Sequence, residues 1–336
     1  MPREYGYHRL TVADVIEETA DTRSFVLDIP PALEARFAYV AGQYCTFRTM
    51  IGGEQVVRCY SMSSSPETRD PFTVTVKRVP GGKMSNWMNE TLTSGDTIDV
   101  MPPAGAFVLR TAETPIVAFA GGSGITPILS IMKTVLVSTA REIVLVYANR
   151  GPDSVIFAEA IERLRAGSDG RLSVHQHLDS EKGFLDAAAC AALVGNRTQA
   201  DFFVCGPGPY MKVVLAGLDQ RGVDPGRVFI ERFDLPGEAP SVESATESVT
   251  IRLEGRKRRV RYEPGDTILD TARRAGFNPP FACQAGNCGT CMAYLENGTV
   301  TMRVNNALGA DEVEQGWVLT CQSIPTSREV LVDYDR

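Results

Sequence analysis

The chain has 336 residues, 43% of them hydrophobic and 22% charged, and a net charge of −7. That composition suits a soluble globular protein of two or three domains, and the negative balance argues against a nucleic-acid binder. It contains no run of 18 apolar residues, and its start, MPREYGYHRL, is polar, so neither a membrane span nor a secretory signal is expected. Cys45, Cys59, Cys190 and Cys205 are scattered, as free thiols in a reducing compartment would be, and the expected location is the cytoplasm.

Residues 1–110 read as short strands broken by Gly and Pro, at 24–29, 43–47, 72–77 and 97–101. This predicts an antiparallel β-barrel or sandwich, with one helix starting near Ser85 and carrying Trp87 and Met88. The tetrad Arg58-Cys59-Tyr60-Ser61 combines a phosphate-binding cation, an aromatic that can lie on a flat ring and a hydroxyl that can bond a ring nitrogen. Val76-Lys77-Arg78 and Gly82-Lys83-Met84-Ser85 follow, the second offering backbone N–H groups at a helix start. Taken alone, the tetrad could equally be a barrel strand with an ordinary Tyr and Arg on it.

From Thr111 the period changes. Apolar strands at 116–120, 143–148, 172–178, 202–205 and 228–233 alternate with helical stretches near 127–137, 155–166, 185–194 and 209–221. Such alternation predicts a doubly wound parallel α/β sheet. After its first strand comes Gly121-Gly122-Ser123-Gly124-Ile125-Thr126-Pro127, a loop through which backbone can approach a diphosphate held at a helix N-terminus. Pro127, in place of a last glycine, suits a first helical position. A second glycine-rich strand end, Cys205-Gly206-Pro207-Gly208-Pro209, lies on the edge where open sheets bind ligands. Cys205 could be a small buried hydrophobe, but in that place a thiol at a nicotinamide reads better.

Residues 236–247, PGEAPSVESATE, read as a flexible tether. Beyond it, residues 248–336 carry 11 basic and 11 acidic residues, so the charge deficit lies in the first 247. A hairpin at 249–253 and 258–262 turns at Glu254-Gly255, and a helix follows from an Asp266 or Thr267 cap to a terminating Gly276. The basic run Arg256, Lys257, Arg258, Arg259 and Arg261 reads as a charged hairpin edge or as a docking patch for an acidic partner.

Cys283, Cys288 and Cys291 fall in C-x4-C-x2-C spacing, and Cys321 follows after 29 intervening residues. This is the ligand arithmetic of a plant-type [2Fe–2S] ferredoxin. Gly286 and Gly289 suit a loop that must turn through positive φ and crowd N–H groups onto sulfur. A structural zinc could also take four cysteines, though zinc favours pairs of short knuckles. The three histidines, His8, His175 and His177, support neither a Rieske centre nor a di-iron site, so a terminal acceptor is not expected in this chain.

In order, RCYS, GGSGITP, CGPGP and the four cysteines make the whole chain resemble the ferredoxin–NADP⁺ reductase superfamily with a fused C-terminal ferredoxin. Within it, the chain is similar to reductase components of bacterial oxygenases of the ketosteroid hydroxylase and phenylacetyl-CoA epoxidase kind. The resemblance implies an FAD-binding barrel at 1–110, an NAD(P)-binding Rossmann-like domain at 111–235, the tether at 236–247 and a β-grasp ferredoxin at 248–336. It further implies that Arg58 pairs with the FAD diphosphate, Tyr60 packs on the isoalloxazine and Ser61 bonds near its N5. By the same resemblance Val76 to Arg78 and Lys83, Met84 and Ser85 hold the pyrimidine edge and diphosphate of the FAD. Thr126 and Cys205 line the nicotinamide pocket, Gly121, Gly122, Ser123, Gly124, Gly206 and Pro207 around them bind cofactor, and Glu231 and Phe233 close the flavin site. Arg150, at the second strand end, could grip the 2′-phosphate of NADPH or the shared diphosphate; the resemblance leans towards NADH.

Hydride transfer moves two electrons and one [2Fe–2S] cluster accepts one, so a flavin between them makes chemical sense. The expected protein is an oxidoreductase that passes electrons from NAD(P)H through FAD and the cluster to a separate, transiently docked oxygenase. Nothing demands more than a monomer. The competing expectations are a zinc-stabilised redox-sensing module and a general electron supplier to several acceptors.

Overall fold

The computed structural model describes residues 6–110, 113–233, 245–281, 284, 286, 289–305 and 307–336. They form two compact units. The first holds the described residues up to Pro103 together with Phe107–Phe233; the second holds Ala104–Ala106 and the described residues beyond Phe233.

The first unit opens with six antiparallel strands: β1 (His8–Thr19), β2 (Thr22–Asp28), β3 (Tyr44–Ile51), β4 (Glu54–Ser61), β5 (Thr73–Lys77) and β6 (Thr97–Val100). Their order is β4-β3-β6-β1-β2-β5, and a bridge between Met62 and Val74 joins the two edges into a barrel. Alternation decides what lies inside. Phe25 and Leu27 of β2 and Val74 and Val76 of β5 are buried in the barrel core, whereas Ser24 and Thr75, directly paired across the two strands, share the other face. Helix α1 (Lys83–Thr91) begins two residues before Ser85 and sends Met84 and Met88 into the same core.

The parallel sheet of the same unit comprises β7 (Ile116–Gly121), β8 (Ile143–Asn149), β9 (Leu172–Leu178), β10 (Asp201–Cys205) and β11 (Val228–Glu231). Helices α2 (Ile125–Ser138), α3 (Ala158–Ala166), α4 (Asp179–Lys182), α5 (Ala187–Val194) and α6 (Gly208–Gln220) connect them. Residues in β7 alternate between two cores, Ile116, Ala118 and Ala120 towards α2 and Val117 and Phe119 towards α6, which is why the strands read as unbroken apolar runs. The order β11-β10-β7-β8-β9 places the switch point between β7 and β10, so the two glycine-rich strand ends are neighbours. Below it, a buried Arg141–Asp201 pair at 2.7 Å ties the sheet together, with Arg141 also donating to the carbonyl of Thr114.

The second unit contains β12 (Ser248–Leu253), β13 (Arg256–Arg261), α7 (Ile268–Arg274), β14 (Met292–Asn297), β15 (Val300–Met302), α8 (Ala310–Glu314), β16 (Trp317–Leu319), β17 (Ser323–Pro325) and β18 (Glu329–Asp333). Its five-stranded sheet runs β13-β12-β18-β14-β16, with β12 and β18 parallel and α7 packed on the same core, the β-grasp arrangement. Thr267 caps α7 in a reciprocal box with Asp270, and Gly276 ends it at φ 79°. The basic run lies on β13, an edge strand, with Arg256 to Arg259 exposed.

Candidate functional site

At the end of β4 the chain presents Arg58, Cys59, Tyr60 and Ser61 to a cavity of about 180 Å³. Lys77 of β5, the Gly82, Lys83, Met84 and Ser85 start of α1, Ser123 and Thr126 at the start of α2 beyond β7, and Phe233 beyond β11 line it too. Barrel and sheet thus contribute to one pocket. Ser61 is 2% exposed, and its hydroxyl has no hydrogen-bond partner among the described residues. A buried hydroxyl without a partner is unfavourable unless a ligand supplies one. The first turn of α1 has no side-chain cap, so its N–H groups and Lys83 offer an anion site beside Arg58. A planar ring with polar edges joined to a diphosphate fits this combination. Lys83 and Arg78 meet Glu54 and Glu90 in ion pairs. Val76 points into the barrel core and is fully buried, so its side chain is not available to the pocket. Thr75 also lines the cavity, and the two-residue strand period back from Lys77 would have found it.

The nicotinamide-side residues gather at the switch point. A Cβ on Gly124 would stand 2.1 Å from the Cys205 carbonyl oxygen, and one on Gly206 would stand 3.1 Å from Gly121 Cα. Gly121, Gly124 and Gly206 are therefore needed to let the two loops interlock. Gly122, at φ 51° with open space around it, is the glycine left facing outward. Pro127 stands third in α2 rather than first. It has no N–H for the Ser123 carbonyl, and the Thr126 hydroxyl donates to that carbonyl instead, at 3.0 Å. Tyr147 donates to the Gly122 carbonyl at 3.3 Å, an anchor sequence reading missed. Parallel register sets Glu231 beside Cys205. Burial pushes the Glu231 carboxyl up to about 8, so it holds its proton at neutral pH. Arg150 is exposed just past β8, with Asn149 buried beside it, and Pro207 is exposed after β10. Neither Arg150 nor Pro207 lines the 180 Å³ cavity.

In the second unit Cys291 and Cys321 are buried in one apolar nest with Leu269, Leu308 and Leu319. Thr320 joins them across the sequence, its N–H and hydroxyl donating to the Cys291 carbonyl at 3.2 and 2.7 Å. Gly286 and Gly289 both have positive φ, and a Cβ on Gly286 would stand 2.6 Å from the Val304 carbonyl oxygen. Two buried thiols in an apolar nest, with glycines of positive φ at 286 and 289, fit a thiolate-bound cluster. Cys283 and Cys288 lie outside the described residues.

Residues 9–109 match the oxidoreductase FAD-binding domain family, 119–215 the oxidoreductase NAD-binding domain family and 251–326 the 2Fe-2S iron-sulfur cluster binding domain family. The chain is 38% identical to the ferredoxin reductase component of 3-ketosteroid-9-alpha-monooxygenase from Rhodococcus rhodochrous, over 97% of this chain and 96% of the relative. It is 33% identical to one subunit of the 1,2-phenylacetyl-CoA epoxidase of Escherichia coli K12, over 98% of each. Phthalate dioxygenase reductase, a modular structure for electron transfer from pyridine nucleotides to [2Fe-2S], superposes with a TM-score of 0.61 over 99% of both chains at 25% identity.

Proposed function

The chain belongs to the ferredoxin reductase components of bacterial oxygenases, and from that premise we propose how its own residues do the work. It is an NAD(P)H-dependent iron–sulfur flavoprotein that feeds electrons to a separate terminal oxygenase. When bound, FAD accepts a hydride and gives up electrons singly, which lets a two-electron donor serve a one-electron cluster. The observation that carries the residue assignment is the unpartnered, buried Ser61 hydroxyl in a cavity shared by barrel and parallel sheet.

Arg58, Lys83 and the first turn of α1 hold the diphosphate, Tyr60 backs the ring, and Ser61 bonds its polar edge. Thr126 and Cys205, with Gly122 exposing backbone, receive the nicotinamide. Glu231, kept neutral by burial, is a hydrogen-bond donor beside Cys205. Cys283, Cys288, Cys291 and Cys321 bind the cluster, whose type sits at about −400 mV, low enough to serve most oxygen-activating iron sites. The domain limits we propose are 1–110, 111–235 and 248–336 with a tether between. Thr246 and Glu247 already bond Ser327 and Arg328, so the tether proper ends before Thr246. We read the molecule as a monomer that docks its oxygenase transiently, and the free thiols of Cys45, Cys59 and Cys190 support a reducing compartment, the cytoplasm, for it.

Anaerobic titration with NADH, followed by visible absorbance, tests the function. Bleaching of both flavin and cluster bands is expected, and a protein that binds zinc and shows no cluster band after reconstitution would overturn it. The same titration with NADPH, on the parent and on Arg150→Ala, reports whether Arg150 grips a 2′-phosphate.

A further inference from the structure

Reduction of the flavin consumes protons as well as hydride. NADH, one proton and oxidised flavin give NAD⁺ and two-electron-reduced flavin; passing those two electrons one at a time to the cluster returns two protons. The cavity opens to solvent beside Lys83 and Phe233, but its inner wall at Ser61 and Thr75 is buried, and protons taken up or released at that wall can pass through it. We propose that Thr75, Ser24 and Glu18 form a proton path from the flavin cavity to a second, separate cavity of about 590 Å³ between the barrel and helices α2 and α3. The proposal rests on the flavoprotein reading above.

The path is continuous at hydrogen-bond distance. Thr75 lines the flavin cavity with Ser61. Its Oγ1 lies 2.7 Å from Ser24 Oγ, and Ser24 Oγ lies 2.6 Å from Glu18 Oε1. Ser63 Oγ, also 2.7 Å from Thr75 Oγ1, makes a branch. Ser24, Ser63 and Glu18 all line the second cavity. Thr75, Ser24 and Ser63 are at most 4% exposed, so the side chains themselves must carry the proton through this stretch. In the Thr75–Ser24 and Thr75–Ser63 contacts either oxygen can donate, so the chain of hydroxyls can reverse its polarity, as a relay must.

A bland explanation is that buried hydroxyls on paired strands simply satisfy one another. It leaves Glu18 unexplained. The second cavity is lined by four carboxylates, and three of them meet cations: Glu17 with Arg23, Asp70 with Lys133, Glu159 with Arg163. Glu18 instead accepts from the end of the hydroxyl chain. Burial pushes its carboxyl up, opposed by the Ser24 hydrogen bond and by the charges of Lys133 and Arg163. Lys133 on α2, Arg163 and Glu159 on α3, and Asp70 and Glu17 are the charged groups that face it in this cavity.

The test follows proton release with a pH-indicator dye in weak buffer while stopped flow records flavin and cluster bands in the full-length holoprotein. In the parent, proton and electron signals should coincide. In Thr75→Val, Ser24→Ala and Glu18→Gln, proton release should lag by about tenfold or more, and Thr75→Ser should restore it. Infrared difference spectra of oxidised and reduced protein should show a carboxyl band that Glu18→Gln removes. Coincident signals in all three variants, with the infrared spectrum unchanged in Glu18→Gln, would overturn the relay and leave the reductase intact. A parent protein whose flavin NADH does not bleach would overturn the reductase reading, and the relay with it.

Discussion

Two side chains carry the chemistry of the site in opposite ways. Ser61 is a buried donor without a partner among the described residues, so its hydroxyl is worth little to the fold and much to a ligand. Ser61→Ala should slow reduction of bound FAD by NADH roughly 100-fold, the loss typical of one pre-aimed donor, while thermal unfolding shifts by no more than about 1 kcal/mol; anaerobic stopped flow and calorimetry check both. Glu231 is a buried acid whose proton stays on up to about pH 8 in the folded chain. Unfolded, it loses that proton near its ordinary value of ~4.3. Between the two the unfolded state binds fewer protons, so stability falls as pH rises through this window and levels off above it. Glu231→Gln should remove that slope in the coenzyme-free protein. Its advantage over the parent should reach a few kcal/mol by pH 9, since each tenfold change in proton activity across the window costs the parent on the order of 1.4 kcal/mol, as denaturant midpoints across pH would show.

Among elements, the meeting of β7 and β10 is the tightest demand. Their loops interlock only because Gly121, Gly124 and Gly206 lack side chains, and Thr126 takes the carbonyl that Pro127 cannot. Gly124→Ala would drive a Cβ into the Cys205 carbonyl, and backbone, unlike a flexible side chain, cannot step aside. A loss of about 2–4 kcal/mol is expected, together with a raised KM for NADH, since the displaced loop is the coenzyme side of the site. Strand β13 shows the opposite economy. It is the sheet edge farthest from β16, the strand that leads to Cys321, and its row of Arg and Lys blocks edge-to-edge pairing. That distance favours the protective reading of the basic run over a docking patch for electron exit.

At the scale of the molecule, two compact units divide the work: hydride chemistry belongs to the first and cluster binding to the second. The division predicts separable half-reactions. Cys321→Ser removes a thiolate from the apolar nest it shares with Cys291. The variant should lose the visible bands of the cluster and all delivery to the oxygenase. It should keep NADH oxidation with ferricyanide, a direct flavin oxidant, within about twofold of the parent, because the described residues that line the flavin cavity all belong to the first unit. Loss of both activities together would show that the units do not function independently.

Sequence by itself determined the domain order, the parallel strands and the local motifs. Strands buried on both faces, such as Ile116–Gly121 and Asp201–Cys205, are apolar throughout, and glycine loops and capping boxes act over a few residues, so their signals are contiguous. It did not reveal β1, whose twelve residues bury one face only and are mostly polar on the other. Tertiary structure alone decided which distant residues meet. Ser61 shares a cavity with Thr126 because the barrel packs on the parallel sheet; Ser24 reaches Thr75 because β2 and β5 pair in that register; Cys321 stands by Cys291 because Thr320 bonds its carbonyl. Short-range propensities are written residue by residue. Register and layer packing are settled by the burial of whole faces at once, and the function of this chain lives in those meetings.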